Sequence, residues 1–219
     1  VKEIGESLRE SQVYFHIDAA QTFGKELELA SLKFDMLSGS SHKIYGPQGI
    51  GALVVKRRGN TRIPIACLVH GGGQERGLRP GTLPVAITVG FGKAAELAKT
   101  EQQKRAESVR NVLTALLQEL QNFEHVINGE LCRCQGHVLN IRFPRVDSEA
   151  LLLELRDWFA FSNGSACTST SYEPSHVLIA MGLSEDEANE SIRLSWGPDT
   201  SRIDSRKLMD VAQKMTVDL

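Results

Sequence analysis

The apolar positions of this chain fall into three kinds of run. Residues 13–17 (V-Y-F-H-I) form an apolar and aromatic stretch of strand type, ending at Asp18 and two small alanines. Residues 34–38 (F-D-M-L-S) predict a second strand and residues 49–55 (G-I-G-A-L-V-V) a third. The ten residues before the first strand read as the tail of a helix, and residues 25–32 show no period and read as loop. Residues 84–104 carry Val85, Ile87, Val89, Phe91, Ala94, Ala95 and Leu97 in loose helical spacing. Residues 105–120 predict a clearer amphipathic helix, with Val109, Val112, Leu113, Leu116, Leu117 and Leu120 at three- and four-residue steps. Beyond His125 the runs shorten. Strands are expected at 126–127, 137–143 and 191–195, a buried strand at 158–161, and helices at 148–157 and 205–215. The pattern predicts an α/β region over 1–103 and a smaller α+β region over 104–219, divided within the charged and polar stretch 99–106.

Composition adds bounds. The chain has 219 residues, 41% hydrophobic and 24% charged, with a net charge of -2, an ordinary globular balance. It has no basic footprint for nucleic acid and no apolar run near the roughly 20 residues that span a bilayer. No signal peptide is expected. Four cysteines in this length do not make a disulfide framework and favour a reducing, cytoplasmic setting. The charged turn 56–60 (K-R-R-G-N) reads as a solvated edge.

Between the second and third strands runs S-G-S-S-H-K-I-Y-G-P-Q-G-I-G, residues 38–51, too rich in Gly and Pro for a helix or central strand. On composition alone Lys43 is either an exposed lysine on a surface turn or a partly buried amine suited to a Schiff base. Asp18, at the carboxyl end of a predicted strand, is either a helix N-cap or a carboxylate placed to hold a protonated ring nitrogen, as in pyridoxal phosphate (PLP) enzymes. H-G-G-G-Q-E-R-G-L-R-P-G-T, residues 70–82, reads as a surface loop or as a loop passing close to a ligand or another subunit. Cys167, in S-N-G-S-A-C-T-S-T-S, lacks the apolar neighbours of a structural cysteine and is expected to be exposed, either passive or reactive. Arg193, inside the short run 191–195, needs an anion, supplied by a structural ion pair or by a ligand. The C-x-C of Cys132 and Cys134 has no further ligands at metal spacing and reads as two surface thiols.

Taken together, H-I-D-A-A-Q, S-x-S-H-K-I-Y-G-P-x-G-I-G, H-G-G-G-Q-E-R-G-L-R-P-G-T, S-N-G-S-A-C-T-S and E-P-S-H-V-L resemble the NifS/IscS-type cysteine desulfurases, class V aminotransferase-like enzymes. The resemblance covers about residues 14–196, with the motifs in order and near the expected spacings. It implies a PLP-dependent transferase fold of aspartate aminotransferase type, with large-domain structure over 1–103 and a small domain over 104–219 that carries a mobile cysteine loop. It implies that L-cysteine is converted to L-alanine and that the sulfur leaves as a persulfide to an acceptor, such as an iron–sulfur scaffold or a thiolation enzyme. In that scheme Lys43 binds the cofactor and moves protons, and Asp18 holds the pyridine nitrogen protonated. Gln21 bonds the phenolic oxygen, and Ser40 and His42 hold the phosphate. Thr82 reaches the phosphate of a neighbouring protomer in a homodimer, Arg193 pairs with the substrate carboxylate, and Cys167 takes the sulfur.

The same resemblance implies about another half-length of chain before Asp18, with a phosphate-binding loop and a histidine that stacks on the cofactor. On that expectation this is the C-terminal portion of a desulfurase, with apolar sheet edges left uncovered. Two other readings stay open: another class V enzyme, such as a transaminase or selenocysteine lyase, and a folded remnant that binds partners without catalysis. A metal or cluster held by Cys167 together with a partner is a third.

Overall fold

A computed structural model describes residues 1–25, 31–163 and 174–217. The chain divides into two compact units, Val1–Lys104 and Arg105–Leu219.

The first unit opens with helix α1 (Lys2–Ser7) and is built on a sheet of order β1-β2-β3. Strand β1 (His16–Asp18) runs parallel to β2 (Met36–Ser40), and β2 pairs antiparallel with β3 (Gly51–Val55). The register sets Asp18 opposite Ser38 and Ser40 opposite Gly51. Strand β1 is shorter than the apolar run predicts. The Phe15 N–H is taken by the Asp35 carboxylate at 2.7 Å, so the ladder starts at His16. Ile17, Ala19, Leu32, Phe34 and Leu37 form the core of this sheet, with Phe15 and Phe23 packed against it.

A buried ion pair ties the sheet to the turn beyond β3. Asp35 is buried and receives Arg58 through Nε and Nη2, both at 2.7 Å. Arg58 also donates to the Ser11 carbonyl at 2.9 Å and lies over the Tyr14 ring. Next to it, Lys56 donates to the Leu32 carbonyl at 3.0 Å and sits over the Phe34 ring. The stretch read as a solvated edge is therefore partly structural, because an acid buried at the head of an apolar strand needs a cationic partner. The Arg58 guanidinium is the main reason the Asp35 carboxyl titrates below its ordinary range. The short hairpin β4 (Arg57–Arg58) with β5 (Thr61–Arg62) follows.

The predicted helical stretch 84–104 resolves into α2 (Val85–Thr100) and the start of α3 (Gln102–Leu120), separated at Glu101. Ala94 and Ala98 of α2 pack against Ile44, with Phe23, Phe91 and Ala95 around them.

The second unit is a three-stranded antiparallel sheet of order β6-β7-β8: β6 (Val126–Ile127), β7 (Val138–Arg142) and β8 (Ser191–Ser195). Alternation along β7 and β8 turns Leu139, Ile141, Ile192 and Leu194 into one core with Val112, Leu116 and Leu120 of α3. Leu151 and Leu155 of α4 (Ser148–Leu155) and Leu208 and Ala212 of α7 (Ser205–Val217) complete it. Asp147 caps α4 by accepting the Ala150 N–H at 2.8 Å. Between α4 and β8 lie the short helices α5 (His176–Ala180) and α6 (Glu185–Asn189), and Ser184 and Glu187 form a capping box on α6.

One expected strand is absent. Residues 156–158 leave α4 as a turn, with the Trp158 and Phe159 N–H groups both donating to the Leu155 carbonyl at 2.9 Å. Trp158 is 64% exposed and lies beneath the Lys207 ammonium, 5.0 Å from the ring centroid. Its apolar character is met by this cation, not by the core.

Candidate active site

Lys43 stands on a single 3-10 turn, Ser41–Ile44, that begins where β2 ends. The turn is fixed at both ends. The Ser41 N–H donates to the Ile50 carbonyl at 3.1 Å, and Ile44 is buried against α2. Ser41 is buried as well, and Tyr45 ends the turn in the left-handed region at φ 68°. With Ser41 and Ile44 pointing inward, His42 is left exposed and Lys43 half-buried.

Gly46 lets α2 come this close. A Cβ there would meet the Ser41 hydroxyl oxygen at 2.3 Å and the Ala94 methyl at 2.8 Å. A Cβ on Gly39 would meet the Phe23 ring at 3.0 Å, so Gly39 and Gly46 are both required by packing beside the lysine turn.

Asp18 and Ser40 end two neighbouring parallel strands and so lie along the same sheet edge. Asp18 Oδ1 accepts the Ala20 N–H at 3.0 Å, bending the chain toward Gln21. The carboxylate caps a turn, and its second oxygen takes no bond among the described residues. Ser40 Oγ and His42 Nδ1 are 2.8 Å apart, a hydroxyl and an imidazole paired one residue to either side of Ser41. The first unit therefore gathers Asp18, Gln21, Ser40, His42 and Lys43 at the carboxyl ends of β1 and β2, where open α/β sheets place ligands.

Thr82 is in the same unit but in a different setting. It is exposed on the irregular segment before α2, beyond two residues, Glu75 and Arg76, that adopt φ of 50° and 59°. No described hydrogen bond joins it to Lys43 or Asp18. A groove of about 560 Å³ also lies in this unit, lined by Arg9, Lys33, Asp35 and Arg58 among others. None of the candidate site residues lines it.

In the second unit Arg193 is half-buried in β8, opposite Asn140 of β7. Among the described residues no carboxylate pairs with its guanidinium. The same face carries a bonded polar cluster. Asn128 Nδ2 donates to Asn140 Oδ1 at 2.6 Å and to Ser191 Oγ at 2.9 Å. The Arg193 backbone forms a two-way bridge with Ser162, at 2.6 and 3.2 Å. This bridge anchors the chain two residues before Gly164. Cys167 itself lies outside the described residues.

The donor set suits pyridoxal phosphate: an amine on a fixed turn, a carboxylate on the neighbouring strand end for a ring nitrogen, and a hydroxyl–imidazole pair for a phosphate. Sequence reasoning missed Ser41 and Gly46, which fix the lysine turn, and the Asp35–Arg58 pair, which ties the sheet to the turn beyond β3. An acid within the apolar run F-D-M-L was the available signal for that pair.

The aminotransferase class-V family model matches residues 1–208. The chain is 46% identical over 203 residues to the cysteine desulfurase IscS of Photorhabdus laumondii, covering 92% of this chain and 50% of that protein. It is 43% identical over 216 residues to the cysteine desulfurase IscS of Klebsiella pneumoniae, covering 98% and 53%. The chain thus spans about half the length of these curated relatives. Among solved structures it is similar to DndA from Streptomyces lividans, with TM-score 0.75 and 37% identity over 90% of this chain and 56% of that one. SspA in complex with cysteine matches with TM-score 0.72 and 35% identity, covering 90% and 54%. The NifS-like protein from Rickettsia africae matches over 100% of this chain and 57% of that one, with TM-score 0.82 and 27% identity.

Proposed function

This chain belongs to the class V aminotransferase family, and from that premise we propose that its chemistry is that of a PLP-dependent cysteine desulfurase. One observation carries the reading. The Lys43 turn, Asp18 and the Ser40–His42 pair lie together at the carboxyl ends of two parallel strands. The names of the relatives supply the reaction class.

Pyridoxal phosphate, when bound, supplies an electron sink that weakens the C–S bond of L-cysteine. Lys43 would hold the cofactor through its amine and, once freed by substrate, would carry protons as a general base and acid. The Asp18 carboxylate would keep a ring nitrogen protonated, and Gln21 would donate to the phenolic oxygen. Ser40 and His42 hold the phosphate, joined by Thr82 from a second copy of the chain in a homodimer. Arg193 orients the substrate carboxylate. The Cys167 thiolate takes the sulfur, alanine leaves, and the persulfide passes to an acceptor in a cytoplasmic setting. An iron–sulfur scaffold or a thiolation enzyme fits that role.

The test begins with the chain incubated with pyridoxal phosphate, reduced with borohydride and peptide-mapped. An adduct on Lys43, with cysteine-dependent alanine and a persulfide on Cys167, is the expected result. A Cys167→Ser change should abolish the persulfide and spare the adduct. A second reading rests on the coverage of about half of each relative: a folded, partner-binding chain without turnover. Absence of the Lys43 adduct would favour it.

A further inference from the structure

The three described cysteines are free, and they differ in their surroundings. Cys132 and Cys134 are exposed on and beside the 3-10 turn Leu131–Arg133, and Cys132 Sγ lies 3.9 Å from the Glu130 carboxylate. No described hydrogen bond joins either of them to an imidazole. Cys67 is half-buried, and its Sγ lies 3.4 Å from His70 Nδ1. At this distance the thiol donates to the ring nitrogen when the imidazole is neutral, and the ring N–H faces the sulfur once the proton has moved. His70 is exposed and Cys67 half-buried, so solvent reaches the pair.

We propose that Cys67 and His70 form a nucleophilic thiol–imidazole pair, a modification site for small disulfides built from residues other than Lys43 and Cys167. A thiol attacks as its thiolate, and an adjacent base is the ordinary means of supplying one. In the step proposed, the Cys67 proton passes to His70 Nδ1 and the sulfur attacks one sulfur of R–S–S–R. A new S–S bond forms as the old one breaks, and R–S⁻ leaves and takes up the proton. One disulfide replaces another, so no further oxidant or reductant is needed. The group R ends on the segment that continues through Gly71, Gly72 and Gly73 to Thr82.

The experiment treats the full chain with limiting glutathione disulfide, quenches with acid, and maps each cysteine by mass spectrometry over time. Cys67 is expected to react about tenfold faster than Cys132 and Cys134. His70→Asn should bring Cys67 down to their rate, and added imidazole should restore part of the difference. Equal rates for the three cysteines in the unaltered chain would overturn the proposal, and that comparison needs no variant. So would a Cys67 rate unchanged by His70→Asn in a protein with unaltered circular dichroism.

Discussion

Two side chains show what single residues contribute. Lys43 is presented by a turn whose neighbours, Ser41 and Ile44, are both buried, so its position does not depend on its own contacts. Lys43→Ala should therefore leave the melting temperature nearly unchanged. It should also remove the borohydride-trapped adduct and lower alanine formation by at least about 10²-fold, the scale of a lost proton-transfer group. Retention of the adduct in this variant would place the cofactor elsewhere. Asp35 acts the other way, on stability. Its carboxyl titrates below its ordinary range, first because Arg58 bonds it, with the Phe15 N–H adding to the effect and burial opposing it. Between the folded and unfolded pKa values the unfolded chain binds more protons, so stability rises with pH there. The contribution is complete above the ordinary aspartate range and is lost as pH falls through the depressed folded value. Glu187, held down by the Ser184 backbone N–H and by Arg142, adds in the same direction. Melting temperatures should thus fall steeply in acid. Asp35→Asn should lower the neutral-pH value and flatten the acid slope, and an unchanged slope would assign acid sensitivity to other groups.

At the scale of elements, the lysine turn and α2 form one packed object. Ile44 meets Ala94 and Ala98, and Gly46 leaves no room for a methyl group. Gly46→Ala should cost about 1–3 kcal/mol, as overpacking does. Gly92 lies on the exposed side of the same helix, and a Cβ there would meet nothing within 4 Å. Gly92→Ala should instead stabilise by about 0.5–1 kcal/mol, through helix propensity alone. Opposite signs for two identical changes, read by thermal or denaturant unfolding, test whether close approach sets the lysine geometry. A fall on both would mean that α2 tolerates no change on either side. The motif itself was visible in the sequence, but its extent as loop was not: residues 38–40 end β2, the middle strand of its sheet, and Ser41–Ile44 wind into a 3-10 turn, because pairing with β1 and β3 on both sides outweighs the cost of Gly39. Nor was the packing reason for Gly46, since it depends on an alanine 48 residues further on. The same limit explains the misread run at 158–161. Apolar composition cannot distinguish a core strand from a turn whose tryptophan stays exposed with the ammonium of Lys207, a residue distant in sequence, over its ring.

For the molecule as a whole, the alternating runs beyond residue 105 were legible because the second unit buries one face of a local sheet against its own helices. The first unit is different. All of β3 is exposed although its sequence, G-A-L-V-V, is that of a buried strand, and Leu53 is 50% accessible. On α2, Val85 and Val89 are 69% and 66% exposed on the side away from Ala94 and Ala98. Isolated apolar residues on a surface need no explanation, but an uncovered apolar edge strand is a template for pairing. At micromolar concentration the chain should therefore run larger than a monomer in light scattering. Salt should not disperse it, because burial of apolar surface is not screened. Replacing Leu53 with Lys and Val89 with Glu should shift it toward monomer without loss of secondary structure. A monodisperse monomer in the unaltered protein would mean that these surfaces tolerate water, and the proposed homodimer would lose this support.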